Sequence, residues 1–408
     1  MTTDRPENNK ISVGLLGFGV RLRSVVRKVV SAGAGRIGIG AIHDPNPEAV
    51  RAAIADHGDG VAVYESEEAF LDSPGLDWVF IGSENHLHAD QIIRALRRGK
   101  HVFCEKPLAT SLEDGFRVRE AIEESGRRFA LGLVLRYSPF YQQVDEIVAR
   151  GEIGRIVSFE FNETLDFDHG GRRIFSTWRR DFDRAGSHLL EKCCHDIDLA
   201  NWLIGSLPVQ VASFGGLGFF TPENARHVER IGKSPDGRDA YCERGEPPRI
   251  VHPFSPGASI VDHQVAILEY ANGVRATFHT NCNTALRERR FYLCGTEGTL
   301  NADAYSGVIE WRRIGYGTRS QRLETLTGGG HGHAGGDQIM TDRLVEAMLH
   351  GGELLASVDD GIRSCAVAFA IDEAMVKKQV VDLGETWLRC GIDPAAPREN
   401  YLVEFAVP

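Results

Sequence analysis

The sequence predicts a doubly wound α/β domain with a parallel sheet, followed by an α+β domain with a large, mostly antiparallel sheet. Up to about Gly132, short apolar runs alternate with helical patterns, which is typical of parallel strands joined by helices. Beyond Arg136 the pattern changes, and Asn272-Gly273 lies between two strand-like runs, the strongest short signal of an antiparallel hairpin. We therefore assign residues 1–10 to a polar tail, 11–134 to the first domain and 135–408 to the second.

The first domain is predicted to contain strands 11–16, 37–42, 78–82, 101–104 and 129–133, and helices 22–30, 47–55, 88–98 and 112–125. In the second, the patterns indicate helices 139–150, 191–203, 337–349 and 361–379, the hairpin around Asn272-Gly273, and strands 156–161, 290–294 and 308–313. Residues 221–257 lack periodicity and form a loop insertion, for which a solvated loop is at least as good an interpretation as a lid.

A glycine turn follows the first strand, in Gly17-Phe18-Gly19-Val20-Arg21. The first glycine permits a tight turn, and the second lets the backbone approach a pyrophosphate at a helix N-terminus, as in Rossmann dinucleotide-binding domains. Leu22 replaces the usual third glycine. Asp44 ends the second strand at about the spacing of 20 residues expected for the acid that binds the ribose hydroxyls. A carboxylate there would repel a 2′-phosphate, so NAD is favoured over NADP; an ordinary surface aspartate is the alternative.

Lys106 follows the predicted strand 101–104, within Glu105-Lys106-Pro107. The carboxyl ends of parallel strands are where α/β folds place ligands, so this lysine is a candidate catalytic residue. An ordinary Lys-Pro turn is the alternative, and the lysine alone would be weak evidence. The assignment of Lys106 is strengthened by the nucleotide signature upstream of it and by a second candidate motif further along the chain.

The second motif is Glu191-Lys-Cys-Cys-His195. On a regular α-helix this spacing places Glu191 and His195 on one face, and Asp198 falls on the same face. A carboxylate beside an imidazole suits a general base, because it orients the ring and favours its charged form. A purely structural histidine is the alternative for this motif alone.

Two polar segments are candidates for ligand contact. Residues 166–184 include Arg172, whose guanidinium could bind a carboxylated or polyhydroxylated ligand, and Trp178, which could stack on a sugar; a solvated face is the alternative. The glycine-rich segment 328–337 carries His331, His333 and Asp337. No matching carboxylate or thiolate cluster accompanies the histidines, so we expect no metal site. His333 or Asp337 is expected to bind a sugar hydroxyl, with Asp337 as a plain helix N-cap the alternative.

Composition excludes several classes of function. The net charge of −11 argues against a nucleic-acid partner. No apolar stretch is long enough to span a membrane, and the polar N-terminus lacks the apolar core of a signal peptide. The eight cysteines show no Cys-x-x-Cys spacing, and neighbouring Cys193 and Cys194 point in different directions on a helix. We therefore expect free thiols in a cytoplasmic protein.

The chain resembles the glucose–fructose oxidoreductase and inositol dehydrogenase family (Gfo/Idh/MocA). The resemblance is carried by the glycine turn, Ser83-Glu-Asn85-His-Leu-His88, Glu105-Lys106-Pro107, His195-Asp-Ile-Asp198 and Gly335-Gly-Asp337. It implies that Lys106 neighbours the nicotinamide of NAD and that His195 is the acid/base on a substrate hydroxyl. The family usually has aspartate at the position of Glu191, which we expect to hold His195.

The combined reasoning assigns three groups of site residues. The catalytic group is Lys106, His195 and Glu191. The NAD-binding group is Gly17, Phe18, Gly19, Val20, Arg21, Asp44, Ser83, Asn85, His88, Glu105 and Lys106. The substrate group is Arg172, Trp178, His195, Asp198, His333 and Asp337.

The function expected from the resemblance is NAD-dependent oxidation of a CH–OH group in a sugar, sugar derivative or cyclic polyol. One alternative is a redox-neutral glycoside hydrolase that keeps NAD bound and works by oxidation, elimination, addition and reduction. A second alternative is a non-catalytic NAD-binding protein. The antiparallel sheet is expected to pair subunits into a homodimer or homotetramer.

Overall fold

The computed structural model of the protein describes residues 10–241, 251–325 and 333–396. Residues 1–9 of the polar tail, residues 242–250 of the predicted insertion, and His331 therefore lie outside the described residues. Fifteen strands and thirteen helices are described below.

The strands are β1 (Ile11–Leu16), β2 (Ile37–His43), β3 (Ala62–Val63), β4 (Trp78–Ile81), β5 (His101–Cys104), β6 (Phe129–Leu131), β7 (Ile156–Asp166), β8 (Pro208–Gly216), β9 (His263–Tyr270), β10 (Arg275–Thr284), β11 (Arg290–Gly295), β12 (Gly298–Asp303), β13 (Val308–Arg313), β14 (Gln321–Glu324) and β15 (Val381–Asp382). The helices are α1 (Val20–Ala32), α2 (Pro47–His57), α3 (Glu67–Leu71), α4 (His88–Arg97), α5 (Leu112–Ser125), α6 (Pro139–Ala149), α7 (Phe167–His169), α8 (Phe182–Ala185), α9 (Cys194–Ile204), α10 (Arg226–Ile231), α11 (Gly336–His350), α12 (Val358–Lys377) and α13 (Gly384–Cys390).

The first sheet has six parallel strands in the order β3-β2-β1-β4-β5-β6. Its central strands are buried on both faces; every residue of β4 is buried, which fits the continuous apolar run Trp78–Ile81. The strand order reverses between β1 and β4, and such a switch point is where doubly wound folds bind ligands at the carboxyl ends of their strands. The predicted parallel α/β sheet is confirmed.

The second sheet has nine strands in the order β14-β13-β12-β11-β7-β10-β9-β8-β15 and is antiparallel except for the parallel pair β7 and β10. The predicted hairpin is present as β9 and β10, with Gly273 at φ 87° in its turn. Helices α9 and α12 pack on one face. Residues of β9 alternate between the two faces of the sheet. Those on the other face are exposed, and they include Val265 and Ile267.

One expectation about local structure needs correction. The helix predicted over 191–203 begins with a π-helical turn, Leu189–Cys193, which continues into α9. The polar segment 166–184, for which no structure is predicted, is a series of short turns that includes α7, α8 and a π-helical turn at Gly170–Phe175. Wide turns of this kind give no signal in an apolar pattern because their period differs from 3.6 residues.

The insertion contributes to a second, smaller apolar core. Phe220, Tyr241 and Phe254 are buried there with Phe175, and the rings of Phe175 and Phe220 stack with centroids 4.2 Å apart. The described part of the insertion is therefore packed against residues 165–175 and is more than a solvated loop.

Candidate functional site

The glycine turn leaves the N-terminus of α1 open. Gly17 has φ 77°, and a Cβ on it would lie 2.6 Å from the backbone nitrogen of Ser83, so only glycine fits. A Cβ on Gly19 would meet its nearest atom at 3.9 Å, and no side chain caps α1, which begins at Val20. First-turn N–H groups without a side-chain cap beside open space suit a pyrophosphate, so these residues fit NAD.

Leu22, in place of the third glycine, is accommodated by the strand opposite. A Cβ on Gly82 would lie 2.6 Å from the Cβ of Leu22, which is itself buried. Helix α1 and strand β4 therefore still approach closely, because the small residue is Gly82, directly after β4, and the larger one is Leu22 on α1.

Asp44 lies against the same turn. Its Oδ2 accepts a hydrogen bond from the backbone N–H of Phe18 at 2.6 Å, and its Oδ1 accepts one from Asn46 at 2.8 Å. Each carboxylate oxygen has a further lone pair, so the group can still accept from ribose hydroxyls.

Lys106 stands just beyond β5 and reaches Glu191. Its Nζ donates to the main-chain carbonyl of Glu191 and lies 3.1 Å from the carboxylate Oε2. Glu191 also accepts from Asn85 Nδ2 at 2.9 Å and from Arg179 Nε at 2.7 Å. Burial alone would raise the pKa of Glu191, but Lys106 and Arg179 outweigh it and lower the pKa to about 2. Glu191 is therefore a carboxylate that holds two cations.

The expected contact between Glu191 and His195 is wrong for this structure. Within the described part of the chain, the hydrogen bonds of the Glu191 carboxylate go to Asn85, Lys106 and Arg179, and His195 Nδ1 is buried without a partner. The physical reason is the π-helical turn, which carries Glu191 but not His195 and so breaks the regular spacing on which the expectation depended.

His195 is 4% exposed and faces several cations. Burial, followed by Lys106, Arg289, His333 and Lys192, lowers the pKa of His195 well below its ordinary value. The ring is therefore neutral at pH 7 and has a nitrogen lone pair that can accept a proton.

A second histidine lies near His195. The ring centroids of His195 and His333 are 5.9 Å apart, and His333 Nδ1 lies 3.2 Å from Asp337 Oδ2. Asp337 Oδ1 also accepts from Arg21 Nη1 at 2.5 Å, and Arg21 Nε donates to Glu105 Oε1 at 3.0 Å. The structure thus connects the helix after the glycine turn to this part of the site.

Other predicted residues support the site from outside. His88 is buried, with Nδ1 2.8 Å from the Pro107 carbonyl and Nε2 3.3 Å from the Ser83 carbonyl, so it braces two segments of the nucleotide region. Ser83 Oγ donates to Gln91 at 2.6 Å.

Asp198, predicted to touch substrate, is committed to a buried ion pair. Both of its oxygens accept from Arg136, each at 2.8 Å, and Arg136 also bonds Asp360 at 3.0 Å. Arg136, between β6 and α6, thereby links α9 through Asp198 to the start of α12 through Asp360. The structure therefore gives Asp198 an anchoring contact and does not direct it to His195.

The other two predicted substrate residues lie on the short turns of segment 166–184. The Arg179 guanidinium stacks over the Trp178 ring at 4.6 Å, and Arg172 Nε lies 3.3 Å from Asp168 Oδ2. Trp178 therefore lies next to Arg179, which donates a hydrogen bond to Glu191.

Sequence reasoning missed a buried ion cluster beside His195. Glu163 lies 3.1 Å from both Lys192 Nζ and Arg289 Nε, and Arg289 donates to both oxygens of Asp196 at 2.7 Å. These partners come from β7, the π-helical turn, α9 and the residue before β11, so no local spacing could have revealed them.

Within the described ranges, no group of three or more His, Cys, Asp or Glu side chains is arranged to hold a metal ion. None of the helices described there is both long enough and apolar enough to cross a lipid bilayer.

The open glycine turn of the parallel sheet, with Lys106 beyond β5 and a buried His195 on α9, is the arrangement expected of a dinucleotide-dependent oxidoreductase. Residues 11–133 match the family described as "Oxidoreductase family, NAD-binding Rossmann fold", and residues 141–301 match the "GFO/IDH/MocA C-terminal domain". Together the two matches cover well over half of the chain. The chain belongs to the Gfo/Idh/MocA family, and its first domain is an NAD-binding domain.

Several characterised relatives are similar over most of their length. Levoglucosan dehydrogenase of Pseudarthrobacter phenanthrenivorans is 27% identical over 338 residues, covering 77% of this chain and 82% of the relative. 1,5-Anhydro-D-fructose reductase of Ensifer adhaerens is 26% identical over 289 residues, covering 70% of this chain and 74% of the relative.

Among solved structures, a levoglucosan dehydrogenase in complex with NADH and levoglucosan has a TM-score of 0.74 at 21% identity, covering 92% of this chain and 100% of that chain. Myo-inositol 2-dehydrogenase from Lactobacillus plantarum has a TM-score of 0.69 at 19% identity, covering 92% of this chain and 99% of that chain. These likenesses show that the fold is shared.

Proposed function

We propose that the protein oxidises a CH–OH group of a sugar, sugar derivative or cyclic polyol, with NAD as hydride acceptor. The single observation that carries this proposal is a buried His195 whose pKa is lowered by that burial and by the nearby charge of Lys106, in a domain pair whose first member has an open nucleotide-binding turn. The substrate class is supported by the relatives, which are named for an anhydrosugar and a sugar-derived ketone.

The roles follow from charge and position. Bound NAD would supply the hydride acceptor, held by the turn Gly17–Arg21, by Asp44 and by the backbone near Ser83. His195 accepts the hydroxyl proton because its ring is neutral at pH 7. Lys106 donates a hydrogen bond to the same oxygen and stabilises its developing negative charge. Glu191 holds the Lys106 ammonium in place.

The runner-up is the redox-neutral glycoside hydrolase. Oxidation of a hydroxyl needs one base, whereas elimination and addition at the neighbouring carbon need a further proton-handling group, and the His333–Asp337 pair is a candidate for it. Membership of an oxidoreductase family argues against the non-catalytic alternative.

One experiment separates the two enzymes. Purified protein is incubated with NAD and a panel of free sugars, anhydrosugars and inositols, and separately with nitrophenyl glycosides without added NAD. We expect NADH to accumulate on members of the first panel. Nitrophenol release without NADH would instead support the hydrolase, and no turnover in either arm would contradict both.

We further propose that the protein is a two-fold homo-oligomer paired through the outer face of its second sheet. Phe214 and Ile267 on that face are 71% and 61% exposed, and Phe214 lies directly opposite the exposed Val265 on the next strand. Large apolar side chains that adjoin on one sheet face favour burial against a second subunit.

A further inference from the structure

His333 is held in a strained backbone conformation. His333, Ala334 and Gly335 have φ of 52°, 51° and 85°, three successive residues in the left-handed region just before α11. Residues other than glycine rarely adopt this region, and such strain persists only where surrounding contacts enforce it. Ser138 Oγ supplies one of these contacts by donating to the Ala334 carbonyl at 2.8 Å.

The strained segment places His333 beside a carboxylate. Its Nδ1 lies 3.2 Å from Oδ2 and 3.3 Å from Oδ1 of Asp337. A carboxylate at Nδ1 favours the neutral ring with its proton on Nδ1 and a free lone pair on Nε2, and it stabilises the ring when a proton arrives there. Arg21 holds the other side of Asp337, which fixes the carboxylate.

His195 has the opposite surroundings. Lys106, Lys192 and Arg289 all disfavour a positive charge on it, and its own Nδ1 has no hydrogen-bond partner among the described residues. Its ring lies 5.9 Å from that of His333 between centroids, with an angle of 51° between the planes. A proton that moves from one ring to the other would pass through a hydroxyl or a water between them.

We propose that His333, oriented by Asp337, is a second proton-handling residue of this site and receives the proton that His195 first accepts. The inference rests on the proposed function. The substrate O–H bond breaks and an N–H bond forms on His195, while the hydrogen on the carbinol carbon leaves with its electron pair to the nicotinamide. The proton then passes through the bridging group to Nε2 of His333, which returns His195 to its neutral state.

The charged and titratable groups that face His333 are Asp337, Arg21, Lys192 and His195. Burial and the cations lower the pKa of His333 to about 4 despite the Asp337 hydrogen bond, so the ring is neutral at pH 7 and holds an added proton only transiently. Removing the Asp337 charge removes the only acidic group of this set and should lower that pKa further.

The test compares His333→Asn and Asp337→Asn with a control, His350→Asn, at the exposed end of the same helix. Turnover of a substrate that the wild type oxidises is measured from about pH 3 to pH 9, a range that includes the low pKa of His333. We expect kcat to fall about 10²-fold in His333→Asn, with NAD binding retained, and added imidazole to restore part of the activity of His333→Ala. In Asp337→Asn the acid limb of the kcat profile should move to lower pH. The control should match the wild type.

An unchanged kcat and pH profile in His333→Asn would overturn the proposal and leave the proposed oxidoreductase intact. If the wild type oxidises no member of the panel, the proposed function fails, and the tautomer of His333 decides the inference separately. In that case nitrogen NMR of labelled protein should show the proton on Nδ1; a ring protonated only on Nε2 would contradict it.

Discussion

Lys106 and Glu191 meet through two contacts, because the lysine ammonium donates to both the main-chain carbonyl and the carboxylate of the glutamate, the latter at 3.1 Å. The lysine follows a strand of the parallel sheet, and the glutamate belongs to the π-helical turn that leads into α9, the helix that carries His195. The contact thus joins the nucleotide-binding half of the site to its histidine-bearing half.

Glu191→Gln should destabilise the protein strongly. The change keeps the shape but removes the buried charge that Lys106 and Arg179 share. Breaking a buried ion pair costs about 3–5 kcal/mol, and the partial exposure of the two cations puts the loss at the lower end. Urea unfolding measures the loss. The matched control is Glu269→Gln, which breaks an exposed pair with Arg275 and should cost less than about 1 kcal/mol. Equal losses in the two variants would contradict this account of Glu191.

Lys106→Ala and His195→Ala should each lower kcat by about 10²- to 10⁴-fold, since each removes a group proposed to act on the reacting hydroxyl. Affinity for NAD should be retained better in the histidine variant, because Lys106 lies nearer the nucleotide-binding turn. Steady-state kinetics and NAD titration check both points. Near-normal rates in both variants would disprove the assigned roles.

Asp44→Ala should weaken NAD binding roughly ten- to a hundredfold, the effect of losing hydrogen bonds to a charged group. It should also relax the preference for NAD over NADP, because the carboxylate no longer repels a 2′-phosphate. Titration with both nucleotides measures the ratio, and Asp59→Ala, at an exposed position of the same half of the chain, serves as control. An unchanged ratio would argue against Asp44 as the ribose-binding acid.

Stability should fall as the pH drops below about 6.5. Burial lowers the pKa of His188 and of His333 to about 4, and lowers that of His88 and His195, whereas an unfolded histidine titrates near 6.5. Their stabilising effect is complete above pH 6.5 and is lost as the pH falls, because only the unfolded chain then binds the protons.

Each such histidine removes up to about 1.4 kcal/mol per pH unit between pH 6.5 and 4. Urea unfolding at several pH values measures the slope. It should be shallower in His188→Gln than in the wild type, whereas the exposed-site variant His350→Gln should keep the wild-type slope. A stability that rises on acidification in this range would show the sign to be wrong.

Ile267→Asp should convert the protein to monomers by placing a charge on the proposed subunit interface. Light scattering at micromolar concentration should then report a mass near the 44.9 kDa of one chain, against at least twice that for the wild type. Leu388→Asp, at an 81% exposed position on α13, should leave the assembly intact. A monomeric wild type would refute the interface.

Local patterns predicted much of the fold. The boundaries of β1, β5, α5 and β13 agree with those predicted, because each element has an uninterrupted apolar period and a clear terminator. Gly126, in the left-handed conformation after α5, is one such terminator.

The site was less accessible to sequence reasoning, since its decisive partners are distant in the chain. Nothing near Arg21 indicates that it bonds Asp337, and nothing near Glu191 indicates Lys106 or Asn85 as its partners. Local spacing instead suggested His195 for Glu191, an inference that holds only for a regular α-helix. Residue types were therefore recognisable, while their pairing needed the folded chain.

The π-helical turn Leu189–Cys193 is equivalent to one extra residue inserted into an otherwise regular helix. Loss of a single codon from this turn would restore the α-helical register and rotate the upstream residues by about 100° relative to His195. Glu191 would then lose its contacts with Lys106 and Arg179. A one-residue change in length, with no change in residue type, thus decides which side chain the Glu191 carboxylate bonds. Related proteins that differ by such a deletion should differ in the residue that holds their equivalent of Lys106.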